Sequence, residues 1–216
     1  MFKMSQPSRL RTSVTDVMTI EEFNKNLGSV VTDLQSSFYS KVMPRIGAEA
    51  LTLIKQRVQE TGKMADGGSF PAYSTKPMLV GAKSFPTKEA QNKVFGKQKN
   101  KALNWVTIGE GEGAKRLAIL QGGYRQWRGI MGVQVNHVDF MVSGRMWANI
   151  NVISTPSDHS SGMAVIGAKE DRQKQKLAGN TARKGDILDL SKEELNSIES
   201  LYEVDLLKIF KDNGIQ

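Results

Sequence analysis

The chain has 216 residues, of which 30 are lysine or arginine and 22 are aspartate or glutamate, so its formal net charge is +8. It contains no cysteine, which excludes disulfides and thiolate metal sites. Its length suits one domain with extensions. No apolar run approaches the ~20 residues that a membrane helix needs, and no signal peptide is expected. The composition fits a protein made in a reducing cytoplasm, without a membrane partner.

The N-terminal part of the chain predicts an arm followed by two helices. Residues 1–18 show no period and are expected to form a flexible arm. Thr19 and Glu22 form a capping box that begins a helix. Pro44 should end or kink this helix, and a second helical run should end where Gly62 supplies a left-handed cap. The apolar face of the first helix is expected to comprise Phe23, Leu27, Val30, Val31, Leu34 and Phe38.

The middle of the chain predicts a long loop and then strands. Residues 62–102 are rich in glycine, proline, serine and lysine, and they lack a period. Fixing a backbone costs roughly 1–2 kcal/mol per residue, so we expect this loop to be mobile until it docks on a neighbouring protein. Residues 103–108 and 116–121 predict two strands around a glycine-rich turn. The alternation over 146–153 predicts another strand, and 163–168 is a further candidate.

The C-terminal part predicts a charged loop and a final helix. Residues 169–186 are expected to be the loop, and Ser191 with Glu194 forms a second capping box. Gly214 should close the helix. Its inward side should comprise Leu195, Ile198, Tyr202, Leu206, Ile209 and Phe210. The whole pattern predicts a single α+β domain over 19–216, with long N-terminal helices packed on an antiparallel β-sheet, a C-terminal helix and long loops.

No group of residues in the sequence has catalytic spacing. His137 and His159 each lack a second histidine at helical spacing, and we interpret both as polar loop residues rather than zinc ligands. The glutamates in the turn over 109–113 oppose phosphate binding, and no serine lies in a nucleophile elbow. We therefore expect no enzyme activity, catalytic residue, cofactor or metal. A small hydrolase is the weakest of the alternatives.

Two glycine-punctuated stretches are the strongest candidates for a binding surface. The first, 66–73, predicts a tight turn and then an extended segment, or else an ordinary surface loop. The second, 122–129, combines aromatic and arginine side chains. Such residues are enriched at the centres of protein interfaces, which is the first interpretation of this segment. The second is stacking on unpaired bases, and the third is packing in the core at a junction between a strand and a loop. The candidate interface residues are Asp66, Tyr73, Tyr124, Arg125, Trp127 and Arg128.

The charges are distributed unevenly along the chain. Basic residues dominate 63–128 and 169–184, whereas the segment from Asp186 onward is acidic. One interpretation is a polyanionic partner such as DNA. The other is pairing between copies, in which a basic face of one subunit meets an acidic face of the next.

Four short blocks, in this order, resemble the tail-completion or head–tail joining (virion morphogenesis) family of tailed bacteriophages. The first block is Arg57 with Asp66-Gly67 and Tyr73, and the second is Gly123-Tyr124 with Arg128. The third runs from Asp139 to Met146 and ends in Ser143-Gly144-Arg145-Met146, where the family has Thr-Gly-x-Met. The fourth, Ile187 to Glu194, matches the family's Leu-x-Leu-Ser-x-Glu-Glu. The resemblance covers roughly residues 45–212. The loop over 74–102 is long for that family, and His159-Ser160-Ser161-Gly162 stands in place of its His-Gln-x-Gly.

The resemblance implies a structural virion protein that is made in the host cytoplasm. Such subunits join side by side into a ring of six-fold or twelve-fold symmetry in the neck, between the portal and the tail. The implied partners are copies of the chain itself, neighbouring portal or adaptor and tail proteins, and DNA in the lumen. Head-to-tail contacts close into a ring when the rotation per subunit divides the circle. The alternative is a basic nucleic-acid-binding protein outside a particle, although no helix-turn-helix, zinc-finger or RNP pattern is present.

Overall fold

The computed structural model describes residues 18–96, 103–158 and 161–215, which form an α+β fold. The expected arm, 1–18, lies outside the described residues except for Met18. The helices are α1 (Ile20–Asp33), α2 (Tyr39–Gln56), α3 (Lys88–Phe95), α4 (Gly123–Ile130), α5 (Arg145–Asn149), α6 (Asp171–Lys184) and α7 (Lys192–Asp212). The strands are β1 (Met78–Val80), β2 (Asn104–Ile108), β3 (Lys115–Leu120), β4 (Ile150–Ser154) and β5 (Val165–Ala168).

One long helical column begins the fold. The Thr19 capping box is confirmed, because the Thr19 hydroxyl accepts from the Glu22 N–H at 3.1 Å and the Glu22 carboxylate accepts from the Thr19 N–H at 2.9 Å. A π-helical turn, Leu34–Phe38, joins α1 to α2, and a second turn, Arg57–Thr61, extends α2. The column ends at Gly62, whose φ of 65° confirms the predicted left-handed cap.

Pro44 does not end the helix, since it lies inside α2. Proline in a helix interior costs about 3 kcal/mol. Burial of Val42, Met43 and Gly47 along the same helix offsets this cost. Of the apolar face predicted for the first helix, Val30 and Phe38 are buried. Three other positions of that face remain partly exposed, with Phe23 43% exposed, Leu27 39% and Val31 44%.

The described residues form two separate antiparallel sheets. The larger has the strand order β1-β3-β2, and the predicted pair of strands around the glycine-rich turn is confirmed as β2 and β3. The smaller sheet pairs β4 with β5. Helix α2 packs closely on it, since a Cβ added at Gly47 would lie 2.9 Å from both Ala164 and Val152. The expected packing of a long N-terminal helix on a sheet is therefore confirmed.

The segment over 62–102 is not the irregular loop that its composition predicts. It contains β1 and α3, and the Thr87 hydroxyl caps α3 by accepting from the Ala90 N–H at 3.2 Å. Scattered apolar residues gather into a core of their own against β3. This core comprises Val80, Phe85, Ala90, Val94, Leu103, Ala118 and Leu120. Its members lie far apart in sequence, which hides the cluster from a search for local periodicity.

The remaining differences concern three helices. The block over 122–129, for which a junction between a strand and a loop was one interpretation, lies largely in α4, and the first half of the predicted strand over 146–153 lies in α5. The expected charged loop over 169–186 contains α6, whose Lys184 ammonium donates to the carbonyls of Pro71 and Ala72 at 2.6 and 2.7 Å. Packing on the rest of the fold stabilises α6 in spite of its polar sequence.

The C-terminal helix α7 agrees with its prediction at both ends. The Ser191 hydroxyl accepts from the Glu194 N–H at 3.2 Å in the predicted capping box. Gly214 adopts a φ of 75° just beyond the last turn. Leu195 is 44% exposed, so its predicted inward position is wrong. Tyr202 packs edge-on against Phe38, with 5.5 Å between the ring centroids, and so holds α7 on the long column. None of the helices in the described ranges is long and apolar enough to span a membrane.

Candidate functional site

The candidate site is built around a buried polar network that joins three sequence blocks. Arg128, 1% exposed, donates from Nη2 to Oδ1 of Asp139 at 2.8 Å. Its Nε donates to the Gln134 carbonyl at 2.8 Å, and Nη2 also donates to the Met141 carbonyl at 3.0 Å. The guanidinium carbon lies 4.2 Å from the ring centroid of Tyr73. A buried charge pair with this many partners holds its segments in one arrangement, and removal of either charge is costly.

Tyr73 completes the network from the opposite side. Its hydroxyl donates to Oδ1 of Asp139 at 2.8 Å and accepts from the Asp139 N–H at 3.1 Å. Burial, with the hydrogen bond to Asp139 as the second cause, raises the pKa of the Tyr73 hydroxyl well above its usual range. The indole N–H of Trp147 donates to the Asp139 carbonyl at 2.9 Å. Asp139 is therefore contacted by Tyr73, Arg128 and Trp147, which are distant from one another in sequence.

A second polar network ties the end of the long column to the start of α7. The Nε of Arg57 donates to Oε1 of Glu194 at 2.8 Å, and both side chains are largely buried. The same guanidinium donates to the Lys63 carbonyl at 2.7 Å and to the Asp189 carbonyl at 2.6 Å. The Glu194 carboxylate also accepts from the Ser191 N–H. Arg57 thus joins the first and last of the four sequence blocks.

Gly123 sets the position of α4 at the site. Its φ is +58°, and a Cβ at this position would collide with the Lys76 carbonyl oxygen. The Arg125 N–H donates to the Ser74 carbonyl at 3.0 Å, so the start of α4 lies directly against the segment that carries Tyr73. A side chain at position 123 would push these two segments apart. Gly123 therefore occupies a left-handed backbone position that favours glycine.

A cleft of about 640 Å³ opens above the network of Arg128, Asp139 and Tyr73. This volume falls in the range of clefts that hold ligands or inserted side chains. The cationic cleft, as we call it, draws its walls from the 66–73 and 122–129 blocks, from 138–146 and from α6. It is lined by Tyr73, Ser74, Tyr124, Arg128, Val138, Phe140, Val142, Ser143, Gly144, Arg145, Met146, Lys176, Asn180, Arg183 and Lys184.

The charge of this lining is entirely positive. Five of the described lining residues are basic and none is acidic. Burial, together with the neighbouring Arg183 charge, lowers the pKa of the Lys184 ammonium. The described lining also has no histidine or carboxylate that could serve as a general base beside Ser74 or Ser143. The chemistry of the cleft is therefore attraction of an anion and contact with apolar side chains.

The structure distributes the six candidate interface residues over three environments. Tyr73 and Arg128 are buried in the network, and Arg128 contacts partners within its own subunit. Tyr124 and Trp127 are half-buried and stacked on each other, with 5.3 Å between the ring centroids. Arg125 is exposed on α4. The exposed Asp66 lies in a turn outside the cleft, where its carboxylate accepts from the Gly68 N–H at 2.8 Å.

Arg128 is 1% exposed, and its guanidinium is engaged by partners within its own subunit. Its contact with a neighbouring protein stays a prediction. Trp127 packs in the core around Phe85, and its indole N–H donates to the Ser84 carbonyl at 3.1 Å. Contact with a neighbour likewise stays a prediction for the other candidate residues, of which Asp66 and Arg125 are exposed and Tyr124 and Trp127 are half-buried.

Sequence reasoning missed the wall of the cleft that α6 provides. Lys176, Arg183 and Lys184 lie in the segment interpreted as a charged loop. A signal was present, since spacings of seven and eight residues from Lys176 place all three on related turns of a helix. The low hydrophobicity of the segment concealed that pattern.

His137 is not among the described residues that line the cleft. His137 lies in a loop, as predicted, and its Nε2 is 2.8 Å from the Gln59 carbonyl oxygen, which ties the loop to the long column. His159 lies outside the described residues. Within the described part of the chain, no group of histidine and acidic side chains is arranged to hold a metal ion.

Comparisons with models of protein families, with curated protein sequences and with solved structures return no match for this chain.

Proposed function

We propose that the protein is a structural virion subunit that forms a ring in the neck of a tailed bacteriophage and joins the portal or head to the tail. The observation that carries the proposal is that all four sequence blocks that resemble the tail-completion family participate in two internal networks. One network is centred on Asp139 and the other on Arg57. These residues fix the scaffold of one subunit, as a structural role requires.

The surface of the subunit also suits assembly. Large apolar side chains remain exposed on two helices, with Phe23 at 43% on α1 and Val204 and Leu207 at 61% and 66% on α7. Exposed apolar residues that group on one helix face mark contacts with other proteins. A basic cleft and an acidic C-terminal helix on the same chain suit head-to-tail contacts, which close into a ring of six or twelve copies. The neighbours in the particle would be portal or adaptor proteins and tail proteins.

The second candidate is a basic nucleic-acid-binding protein that acts outside a particle. The cationic cleft favours it, because a lining without carboxylates attracts phosphate as well as carboxylate groups. Contacts that cover one face of the aromatic rings at the cleft disfavour nucleic-acid binding. One face of Tyr124 is covered by Trp127, and Arg128 covers one face of Tyr73. Stacking of unpaired bases needs an open ring face.

Mass photometry and negative-stain electron microscopy of the concentrated protein test the proposal. We expect ring-shaped particles of a single size, either from the protein alone or after addition of the portal protein of the same phage. The proposal would fail if the protein stays monomeric under both conditions and an antibody against it does not label the neck of mature particles. Tight binding to short oligonucleotides together with that result would favour the second candidate.

A further inference from the structure

The cationic cleft carries an excess of positive charge that the described residues of its own subunit leave uncompensated. Arg128 is paired with Asp139, and Lys184 donates to two carbonyls. The side chains of Arg145 and Lys176 form no hydrogen bond or ion pair with any of the described residues, and both are exposed at the cleft. Arg183 and Lys184 also line the cleft, and crowding of like charges destabilises the unbound state. An anionic group at the cleft would relieve this repulsion.

The rest of the lining indicates what kind of anion fits. Val138, Phe140, Val142 and Met146 contribute apolar surface beside the cations. Phe140 is itself packed edge-on against Phe70, at 5.0 Å between centroids. The rings at the cleft are engaged with other side chains of the subunit, which disfavours base stacking. A protein segment that presents carboxylates beside aliphatic side chains matches both parts of the lining.

The outer face of α7 presents this combination. Glu199, Glu203 and Leu207 follow one another at intervals of four residues, and Val204 lies beside them. All four are exposed. The opposite face of α7 packs on the long column, where Tyr202 contacts Phe38. None of the α7 residues is among those that line the cleft, so the two surfaces are distinct on one subunit.

We infer that the cationic cleft is the docking site for the outer face of α7 from a second copy of this chain. Glu199 and Glu203 of one copy meet Arg145 and Lys176 of the next, while Val204 and Leu207 contact the apolar part of the lining. Because two different surfaces meet, the contact is head-to-tail and repeats from subunit to subunit. The inference rests on the proposed ring and names the surfaces that form it.

Engineered cysteines test the inference directly, since the natural chain has none. The variant carrying both Lys176→Cys and Glu203→Cys should, on mild oxidation of the concentrated protein, give a ladder of reducible multimers. Each single variant alone should give at most a dimer, and a mixture of the two single variants should give the mixed dimer. The matched control replaces Lys176→Cys with Lys174→Cys, which lies on the exposed part of the same helix but outside the cleft.

Charge reversal supplies the second arm of the test. Glu199→Lys with Glu203→Lys should reduce formation of the mixed dimer about tenfold or more, because like charges then face each other. In these arms the cysteines are Arg183→Cys on the cleft side and Leu207→Cys on α7, since Glu203 is itself changed to lysine. Combining the α7 variant with a partner that carries Arg145→Glu and Lys176→Glu should restore the mixed dimer. Absence of the ladder, equal yield from the Lys174→Cys control, or failure of the restoring pair would overturn the inference.

Failure of this inference is distinguishable from failure of the proposed function. Rings seen by electron microscopy that give no cross-link between positions 176 and 203 would leave the ring intact and overturn only the named surfaces. Binding of a single-stranded oligonucleotide that is lost in the Arg145→Glu, Lys176→Glu variant, without any cross-linking, would assign the cleft to nucleic acid and contradict the inference.

Discussion

Nη2 of Arg128 lies 2.8 Å from Oδ1 of Asp139, and both side chains are almost completely buried. The pair connects α4 to the loop that precedes α5, and Tyr73 contacts both partners. The cationic cleft opens directly above it, with Arg128 and Tyr73 in its lining. The stability of this buried pair therefore determines the shape of the surface that we propose for assembly.

Arg128→Met should lower the free energy of unfolding by about 3–5 kcal/mol, because it leaves the Asp139 carboxylate buried without its cation. Chemical denaturation measures the change. Arg125→Met is the matched control on the same helix, and at this exposed position it should change stability by less than about 0.5 kcal/mol. Similar values for the two variants would show that the pair does not hold the fold.

Gly123→Ala should destabilise the protein by several kcal/mol, since the new Cβ meets the Lys76 carbonyl and the backbone has a φ of +58°. Gly129→Ala in the same helix provides the comparison. Nothing lies within 4 Å of a Cβ at Gly129. Alanine there should be neutral or stabilising by up to about 1 kcal/mol. Thermal unfolding should therefore give a lower melting temperature for Gly123→Ala than for Gly129→Ala. Equal melting temperatures would contradict the close approach of α4 to residues 74–76.

Ionisation of the Tyr73 hydroxyl should lower the free energy of unfolding at alkaline pH. Folding raises the pKa of its hydroxyl, so the folded state retains the proton when the unfolded state loses it. Below about pH 10, the pKa of an ordinary phenol, both states are protonated and the contribution is fully present. As the pH rises above that value, the free energy of unfolding decreases. Denaturant titrations should show a shallower decrease for Tyr73→Phe than for the natural chain, and parallel curves would rule out this linkage.

Trp127→Ala should lower the free energy of unfolding by about 2 kcal/mol, because the half-buried indole packs near Phe85 and donates to the Ser84 carbonyl. This stability effect belongs to the single subunit. Ring formation, measured separately on protein that has remained folded, tests whether the open edge of the indole also contacts a neighbour. Normal stability in the variant would place Trp127 outside the core.

Local signals in the sequence correctly predicted the beginning of α1, the end of the long helical column and the beginning of α7, but not the continuation of the column through Pro44. The capping boxes at Thr19 and Ser191 and the left-handed Gly62 depend on residues within one turn, so their geometry follows from local sequence. The strands β2 and β3 were predictable for the same reason, since they are neighbours around a short turn. The α+β class follows from these elements together.

The rest of the fold depends on contacts between distant residues. The alternation over 146–153 fits a strand, yet the first half forms α5, where the Trp147 indole donates to the Asp139 carbonyl. Helix α6 is highly polar and is stabilised by its packing on α5 and β5. The cationic cleft depends on both helices, so sequence reasoning found Tyr73, Tyr124 and Arg128 but not the wall that carries Lys176.

The proposed function in a phage neck is the central claim, and the amount of this chain in purified phage particles tests it most directly. Quantitative mass spectrometry, calibrated against the portal protein, gives the number of copies per particle. A ring subunit of the neck should be present in six or twelve copies, in a fixed ratio to the portal. Absence of the chain from mature particles, or a copy number that varies from one preparation to another, would contradict the account.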